Sequence, residues 1–238
     1  MRMADDAEMS LVLAPVGRET VQERVYKELR RALIGGIFAA GQVLTIRQLA
    51  DALVTSTMPV REALGRLITE QALEALPNRS IRVPPVTRKR MEDLLHARIL
   101  LEGEAIVLAA KRMTAEQVAT IRGIMNECED IRKDGSSDTV DREVTLNHAF
   151  HFEIYRNCGS SILIPMIESL WLQSGPCTRA AIFAFREAGE RDPERFHQAI
   201  VAALEAGDAE AARAALIGDI SRPFAFLSDK LTKEGKME

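Results

Sequence analysis

The stretch from Thr45 to Leu67, TIRQLADALVTSTMPVREALGRL, most restricts what this chain can fold into. It reads as two short helices joined by a polar turn. In the first, Ile46, Leu49 and Leu53 recur at three- to four-residue spacing and face inward, while Arg47, Gln48 and Asp51 stay in water. Thr55, Ser56 and Thr57 then offer hydroxyls that can cap the next helix or reach phosphates. Val60, Leu64, Leu67 and Ile68 form one apolar stripe and leave Arg61 and Gly65 on another face. A helix-turn-helix needs this division, because its second helix must pack inward while its N-terminal residues enter a DNA major groove.

The flanks extend the motif. Upstream, Val21, Val25, Leu29 and Leu33 give a helical stripe that stops at Gly35-Gly36, and Ala40-Gly41 makes a second turn. Downstream, Ala72–Leu76 and Ile81–Val83 are short extended runs separated by Pro77-Asn78-Arg79-Ser80, a hairpin placed as the wing of a winged helix-turn-helix. Pro84-Pro85 ends the wing strand and stiffens the link to the C-terminal part of the chain.

Beyond that link the pattern is helical throughout. Thr87 caps a helix to about Lys111, and Thr114 caps one to about Arg132, which Gly135–Asp138 breaks. A third helix runs through Phe150 to Cys158, and a fourth from Gly159-Ser160 to the Arg186 region, with a disturbance expected at Pro165 and at Gly175-Pro176. Asp192-Pro193 opens a fifth that ends at Gly207, and Asp208 opens a sixth with a kink at Pro223. The expected fold is mostly α, an N-terminal winged helix-turn-helix plus a C-terminal antiparallel bundle of six helices. The expected division is a tail at 1–17, a DNA-binding domain at 18–85, a helical bundle at 86–232, for which the resemblance given below implies ligand binding and dimerisation, and a tail at 233–238.

Charge follows the same division. Residues 18–90 carry 13 lysines and arginines against 7 acids, whereas residues 91–238 carry 17 against 25. A basic module joined to an acidic one suits a protein that puts one end on nucleic acid. No apolar run reaches membrane-spanning length, and the start, MRMADDAEMS, is acidic and unlike an export signal, so the expected location is the cytoplasm, without membrane contact. Cys128, Cys158 and Cys177 are scattered and odd in number, which argues for reduced, buried thiols.

The order aliphatic-Gly, turn, Pro-Val-Arg-Glu-Ala-Leu and wing, over Arg18 to Val83, resembles the GntR family of bacterial transcription regulators. The resemblance implies that Arg47, Ser56, Thr57 and Arg61 face DNA, with Arg79 and Ser80 at the wing. Two positions depart from the family: Thr57 stands where an arginine is usual, and Ser80 where the wing tip has glycine. Arginine grips guanine by two parallel hydrogen bonds and threonine offers one hydroxyl and a methyl, so base preference at that step should differ. Arg61 has a plainer alternative, a surface salt bridge to Glu62 or Glu70.

Later, Arg98-x-x-Leu101-Glu102, Leu108-Ala109-Ala110, Phe150-His151, His197 with Ala199-Ile200, and Ala206-Gly207-Asp208 resemble the FCD ligand-binding domain of FadR-like GntR regulators, nearer the VanR-like subgroup at six helices. By that resemblance Asn147, His151, His197 and Asp219 take the metal-ligand positions, where aspartate, histidine, histidine and histidine are usual. Asn147 and His151 are four apart and share a helix face. Two imidazoles, an amide oxygen and a carboxylate can hold Zn²⁺, Ni²⁺ or Mn²⁺, one per subunit. The alternative is two buried histidines bonded to Asp219 with no ion. Arg98 matches a pocket arginine able to clamp a carboxylate, or it pairs with Glu102 on the next turn, and the two roles can coexist. His148 and His96 are expected to be structural.

Together these features imply a ligand-responsive regulator of the repressor type, a homodimer that reads a palindromic double-stranded operator and senses a small organic acid. Two other classes stay open. A metal-dependent hydrolase would use His151, His197 and Asp219, yet HExxH and G-x-S-x-G are absent. A thiol redox sensor would need a reactive cysteine.

Overall fold

The computed structural model describes residues 20–77, 80–134, 139–187 and 195–233. Helix α1 (Val21–Ile34) starts where Thr20 Oγ1 accepts the Glu23 amide at 3.2 Å and stops at Gly35. Strand β1 (Val43–Leu44) leads into α2 (Ile46–Ala52), which a reciprocal pair of bonds between Thr45 and Gln48 caps. Helix α3 (Thr57–Thr69) comes next, then β2 (Glu74–Ala75) and β3 (Ile81–Arg82). The three strands form one antiparallel sheet in the order β1-β3-β2, with Val43 and Glu74 both opposite Arg82. The wing hairpin is therefore present, and β1, just past a stretch whose pattern suggests only a turn, pairs with its far side. Leu33, Leu49, Val60, Leu64, Leu67 and Val83 are buried together beneath it.

The turn between α2 and α3 holds Val54 at φ 49°, with 92% of its surface exposed. A β-branched residue in the left-handed region is strained by about 1–2 kcal/mol, and this side chain recovers nothing by packing. Glycine removes that strain and gives back about 0.5–1 kcal/mol in unfolded-chain entropy. Val54→Gly is expected to stabilise the protein by roughly 0.5–1 kcal/mol. A thermal melt with an unchanged or lower midpoint would contradict the strain argument.

Six helices make up the rest of the described residues: α4 (Arg88–Ala110), α5 (Ala115–Asp134), α6 (Val140–Arg156), α7 (Leu163–Glu187), α8 (Arg195–Glu205) and α9 (Ala209–Lys233). Helix α4 packs on α6, α7 and α9, while α5 packs on α6 and α8, around a core that includes Ile106, Ile121, Phe150, Tyr155, Ile167, Ile200 and Leu216. The expected break at Gly135–Asp138 and the expected start at Asp192-Pro193 lie outside the described residues. Pro165 sits in the first turn of α7, where a missing N–H leaves nothing unpaired. Pro176 lies inside α7, which nevertheless runs on to Glu187.

The reason for the Gly-Pro pair is a contact and not an interruption. Gly175 lies against the last turn of α1, where a Cβ would fall 2.0 Å from the Leu33 carbonyl oxygen. Gly36, at φ 62°, faces it from the other side, with no room for a Cβ beside Gly175 and Arg179. Leu172 of α7 is buried within the core under the winged helix. Arg30 pairs with Glu168 at 2.9 Å, and Arg179 donates to the Gly35 carbonyl at 3.2 Å. The helix after Pro84-Pro85 contributes a bond from Arg90 to the Gln71 carbonyl at 3.1 Å, but the closest approach between winged helix and bundle runs through α1 and α7.

Candidate functional site

Helix α3 presents its N-terminal turn to solvent. Ser56 is its N-cap residue and makes no side-chain capping bond, so its hydroxyl is not engaged in holding the helix end. Ser56, Thr57 and Arg61 are exposed on this turn, and Arg47 is exposed on α2. Arg61 makes no ion pair among the described residues. Glu70, one of its expected alternatives, instead accepts the Tyr26 hydroxyl at 2.5 Å. Exposed hydroxyls, a guanidinium and the unpaired amides of a helix start are the groups that hold phosphates and base edges. In the wing, the Leu76 amide bonds to the Ser80 carbonyl at 2.9 Å and Arg82 pairs with Glu74 at 2.6 Å, while Arg79 lies outside the described residues.

Within the bundle, a cavity of about 150 Å³ opens between α4, α6, α7 and α9, with Arg132 of α5 also in its lining. Arg98, Asn147, His151, Trp171, Arg186 and Asp219 line it, with Ile182, Phe185 and Phe224 as apolar wall. His151 Nε2 lies 3.0 Å from Asp219 Oδ2, and His197 Nε2 lies 3.6 Å from Asp219 Oδ1. One ligand-capable atom from each of these three residues falls within 4.8 Å of the others. Asn147 lines the same cavity one turn before His151, and its amide makes no hydrogen bond among the described residues. Three of the four expected ligand positions thus come together, with Asn147 in the lining of the same cavity and His197 outside that lining. Burial would raise the Asp219 carboxyl, but the two histidine rings packed against it, His197 first, hold it well below the usual carboxylate range. Burial pushes His197 down, against the pull of Asp219.

Behind this site lies a network that the sequence pattern reveals only in part. Glu102 is fully buried and accepts from Arg98 Nε at 2.6 Å, Arg98 Nη2 at 3.2 Å, the Tyr155 hydroxyl at 2.5 Å and the Trp171 indole at 3.1 Å. Arg98 therefore both pairs with Glu102 and lines the cavity. A second buried acid, Glu143, binds Arg132 at 2.7 Å and Arg186 at 2.6 Å. Glu102 lies four residues beyond Arg98, and Tyr155 four beyond His151, so helical spacing carries a signal for both. Nothing in the spacing points to Trp171 or to the Glu143 cluster.

The donor set fits a divalent ion. The Tyr155 hydroxyl donates its hydrogen bond to Glu102, which leaves its oxygen to accept from His151 Nδ1 at 3.3 Å. With Nδ1 donating, a neutral ring presents an Nε2 lone pair toward Asp219. A lone pair and a carboxylate 3.0 Å apart need a proton or a cation to hold them together. The separations of 3.0 and 3.6 Å bracket the ~3.4 Å expected between two donors about 2.1 Å from one tetrahedral ion. His148 turns away from this group: it stacks on Phe152 at 4.1 Å and meets the edge of Trp171 at 5.3 Å, and burial pushes it down to about 4. His96 is exposed.

The architecture is that of a winged-helix reader fused to a helical sensor, and comparison with known proteins agrees. Residues 21–83 match the bacterial regulatory proteins of the gntR family, and residues 93–222 match the FCD domain. The chain belongs to the gntR family of bacterial transcription regulators, in the branch that carries an FCD domain. It is 29% identical over 204 residues to the HTH-type transcriptional regulator McbR of Escherichia coli K12, covering 86% of this chain and 91% of McbR. It is 27% identical over 147 residues to the transcriptional repressor GlaR of the same organism, covering 61% of this chain and 67% of GlaR. The solved structure of Escherichia coli McbR superposes with a TM-score of 0.81 at 28% identity, over 89% of this chain and 98% of that one.

The protein is accordingly a DNA-binding transcription regulator, and its relatives are regulators and not enzymes, which sets the hydrolase reading aside. The redox reading loses its nucleophile: all three cysteines are buried, and burial raises Cys177 to about 11. No helix among the described residues is long and apolar enough to cross a membrane.

Proposed function

We propose that the protein is a homodimeric repressor whose affinity for a palindromic operator changes when a small organic acid enters the bundle cavity. The division at Pro84-Pro85, the six-helix count that favours the VanR-like subgroup and the name repressor borne by GlaR support this reading. The observation that carries it is the composition of one cavity: arginine, imidazole and carboxylate donors gather on α4, α6 and α9, and α7 supplies the remaining wall. That same helix holds the end of α1 through Gly175, so a ligand that displaces α7 displaces the reading head. A differential affinity of a few kcal/mol between the two arrangements is enough to switch occupancy.

On the DNA side, Arg47, Ser56, Thr57 and Arg61 contact the operator, with Arg79 and Ser80 at the wing. Arg61→Ala is expected to weaken binding by about 1–3 kcal/mol, on DNA selected from a random pool by the wild-type protein. Unchanged affinity in a folded Arg61→Ala protein would remove Arg61 from the interface.

In the cavity, His151, His197 and Asp219, joined by Asn147, hold one divalent ion, with Arg98 receiving the effector's carboxylate. Bound there, the ion supplies a Lewis-acidic point to which an acid can bind. Metal analysis of chelator-free protein is expected to find about one Zn²⁺, Ni²⁺ or Mn²⁺ per subunit. His151→Ala and His197→Ala should each abolish it, and Asn147→Asp should tighten it by adding charge to a neutral ligand. Metal-free wild-type protein that still answers its effector would mean that the acid binds directly through Arg98 and the histidines, and would overturn the metal reading.

A further inference from the structure

A second cavity lies where the winged helix meets the bundle, between α1 and the α6–α7 pair, and at about 370 Å³ it is larger than the first. Lys27, Arg30, Arg31 and Arg179 line it, and Asp141 is the one acid among its lining residues. Asp141 already pairs with Arg179 at 2.6 Å. Glu168 and Glu28, which bind Arg30 and Arg31, are not part of the wall, so the wall itself presents an excess of cations.

Two polar groups point to an occupant. Arg30 Nε is buried and has no hydrogen-bond partner, although Arg30 Nη2 is held by Glu168. A desolvated guanidinium N–H without an acceptor is costly, and a water or an anion in the cleft would satisfy it. His148 also lines the cleft, its ring fixed between Phe152 and Trp171, with no hydrogen bond to either ring nitrogen among the described residues. Ile34, Ile37 and Val144 supply an apolar side.

We propose that this cleft is a second ligand site, for a small metabolite bearing a phosphate or carboxylate oxyanion. Guanidinium forks from α1 and α7 bind the oxyanion together, and Arg30 Nε gains its acceptor. Because the ligand touches α1 on one side and α6 and α7 on the other, its binding strengthens the clamp between reading head and sensor. The site shares no lining residue with the bundle cavity; Trp171, which lines the latter, meets the edge of His148 at 5.3 Å.

The test titrates the full-length protein with inorganic phosphate and with succinate at constant ionic strength, read by calorimetry and by the fluorescence of Trp171, the single tryptophan. A saturable component that Arg30→Gln removes is expected, distinct from any acid bound in the bundle cavity. Response to phosphate alone assigns a phosphorylated ligand, and response to succinate alone a carboxylic acid. Arg30→Gln should raise the Kd about tenfold or more, whereas Glu168→Gln, which breaks the same ion pair but keeps the guanidinium, should leave the affinity equal or tighter. Arg31→Gln repeats the loss at a surface position without disturbing the Arg30–Glu168 pair. His151→Ala, which alters only the bundle cavity, should keep the Arg30-dependent component of binding whatever it does to acid bound in that cavity. No saturable binding of either anion at millimolar concentration, or binding that His151→Ala abolishes and Arg30→Gln does not, would overturn the proposal.

Discussion

Glu102→Ala is expected to lower stability by about 3–5 kcal/mol, because it leaves the Arg98 guanidinium charged and buried with no counter-ion. The carboxylate is wholly inaccessible and takes four hydrogen bonds, so its removal also strands the Tyr155 hydroxyl and the Trp171 indole. For a chain of this size the loss corresponds to a fall in Tm of roughly 6–20 °C. Glu102→Gln keeps the shape and one acceptor and should fall between. Tyr155→Phe removes a single bond and should cost only about 1 kcal/mol. The network also orients His151, so Tyr155→Phe should weaken ion binding more than it weakens the fold, and calorimetry with Zn²⁺ separates the two effects. A Glu102→Ala protein that melts within about two degrees of wild type, well short of the shift expected for a chain of this size, would show that Arg98 finds another partner in the cavity.

How much of the fold and site is legible in the sequence depends on the range of the interaction. The helix-turn-helix is legible because its determinants are local: Leu49, Val60, Leu64 and Leu67 repeat at helical spacing, and Thr45 and Gln48 cap within three residues. The two-residue strand β1 is not, since no alternation exists in a pair, and it is set by Gly41 and Gln42 bonding to Val83 about forty positions later. His151 and Asn147 share a face by their spacing, but Asp219 is assigned to the same cavity only through resemblance, because α9 must first fold back on α8. Local pattern offers Arg61 an acidic partner in Glu70, yet Glu70 is held by Tyr26 on α1, a choice that no local pattern encodes. The Gly175-Pro176 pair has a local meaning, a helix disturbed, whereas its role is distant. The residue it makes room for is Leu33.

That distant role sets the second large effect. Intrinsic preference alone favours alanine over glycine inside a helix by about 0.5–1 kcal/mol, so Gly123→Ala on α5, where an added Cβ meets nothing within 4 Å, is expected to stabilise the protein. Gly175→Ala makes the same chemical change on α7 with the opposite sign. Its Cβ would meet the carbonyl oxygens of Leu33 at 2.0 Å and Ile34 at 2.7 Å, and both are backbone atoms that no rotamer can move aside. Relief requires α1 to draw away from α7, which opens the packing around Leu172 and stretches the Arg30–Glu168 and Arg179–Gly35 bonds. Overpacking of this kind costs typically ~1–3 kcal/mol. The clash falls between reading head and sensor, so the thermal transition should split in two, with the amides of Gly35 and Ile37 exchanging faster in the variant. Operator affinity at saturating protein should survive, because α3 and its exposed Arg61 are untouched, while any change in that affinity produced by filling the bundle cavity should shrink or vanish. A Gly175→Ala protein that melts in one transition at the wild-type temperature would mean that the α1–α7 contact does not hold the two parts together, and that coupling must pass instead through Pro84-Pro85 and α4.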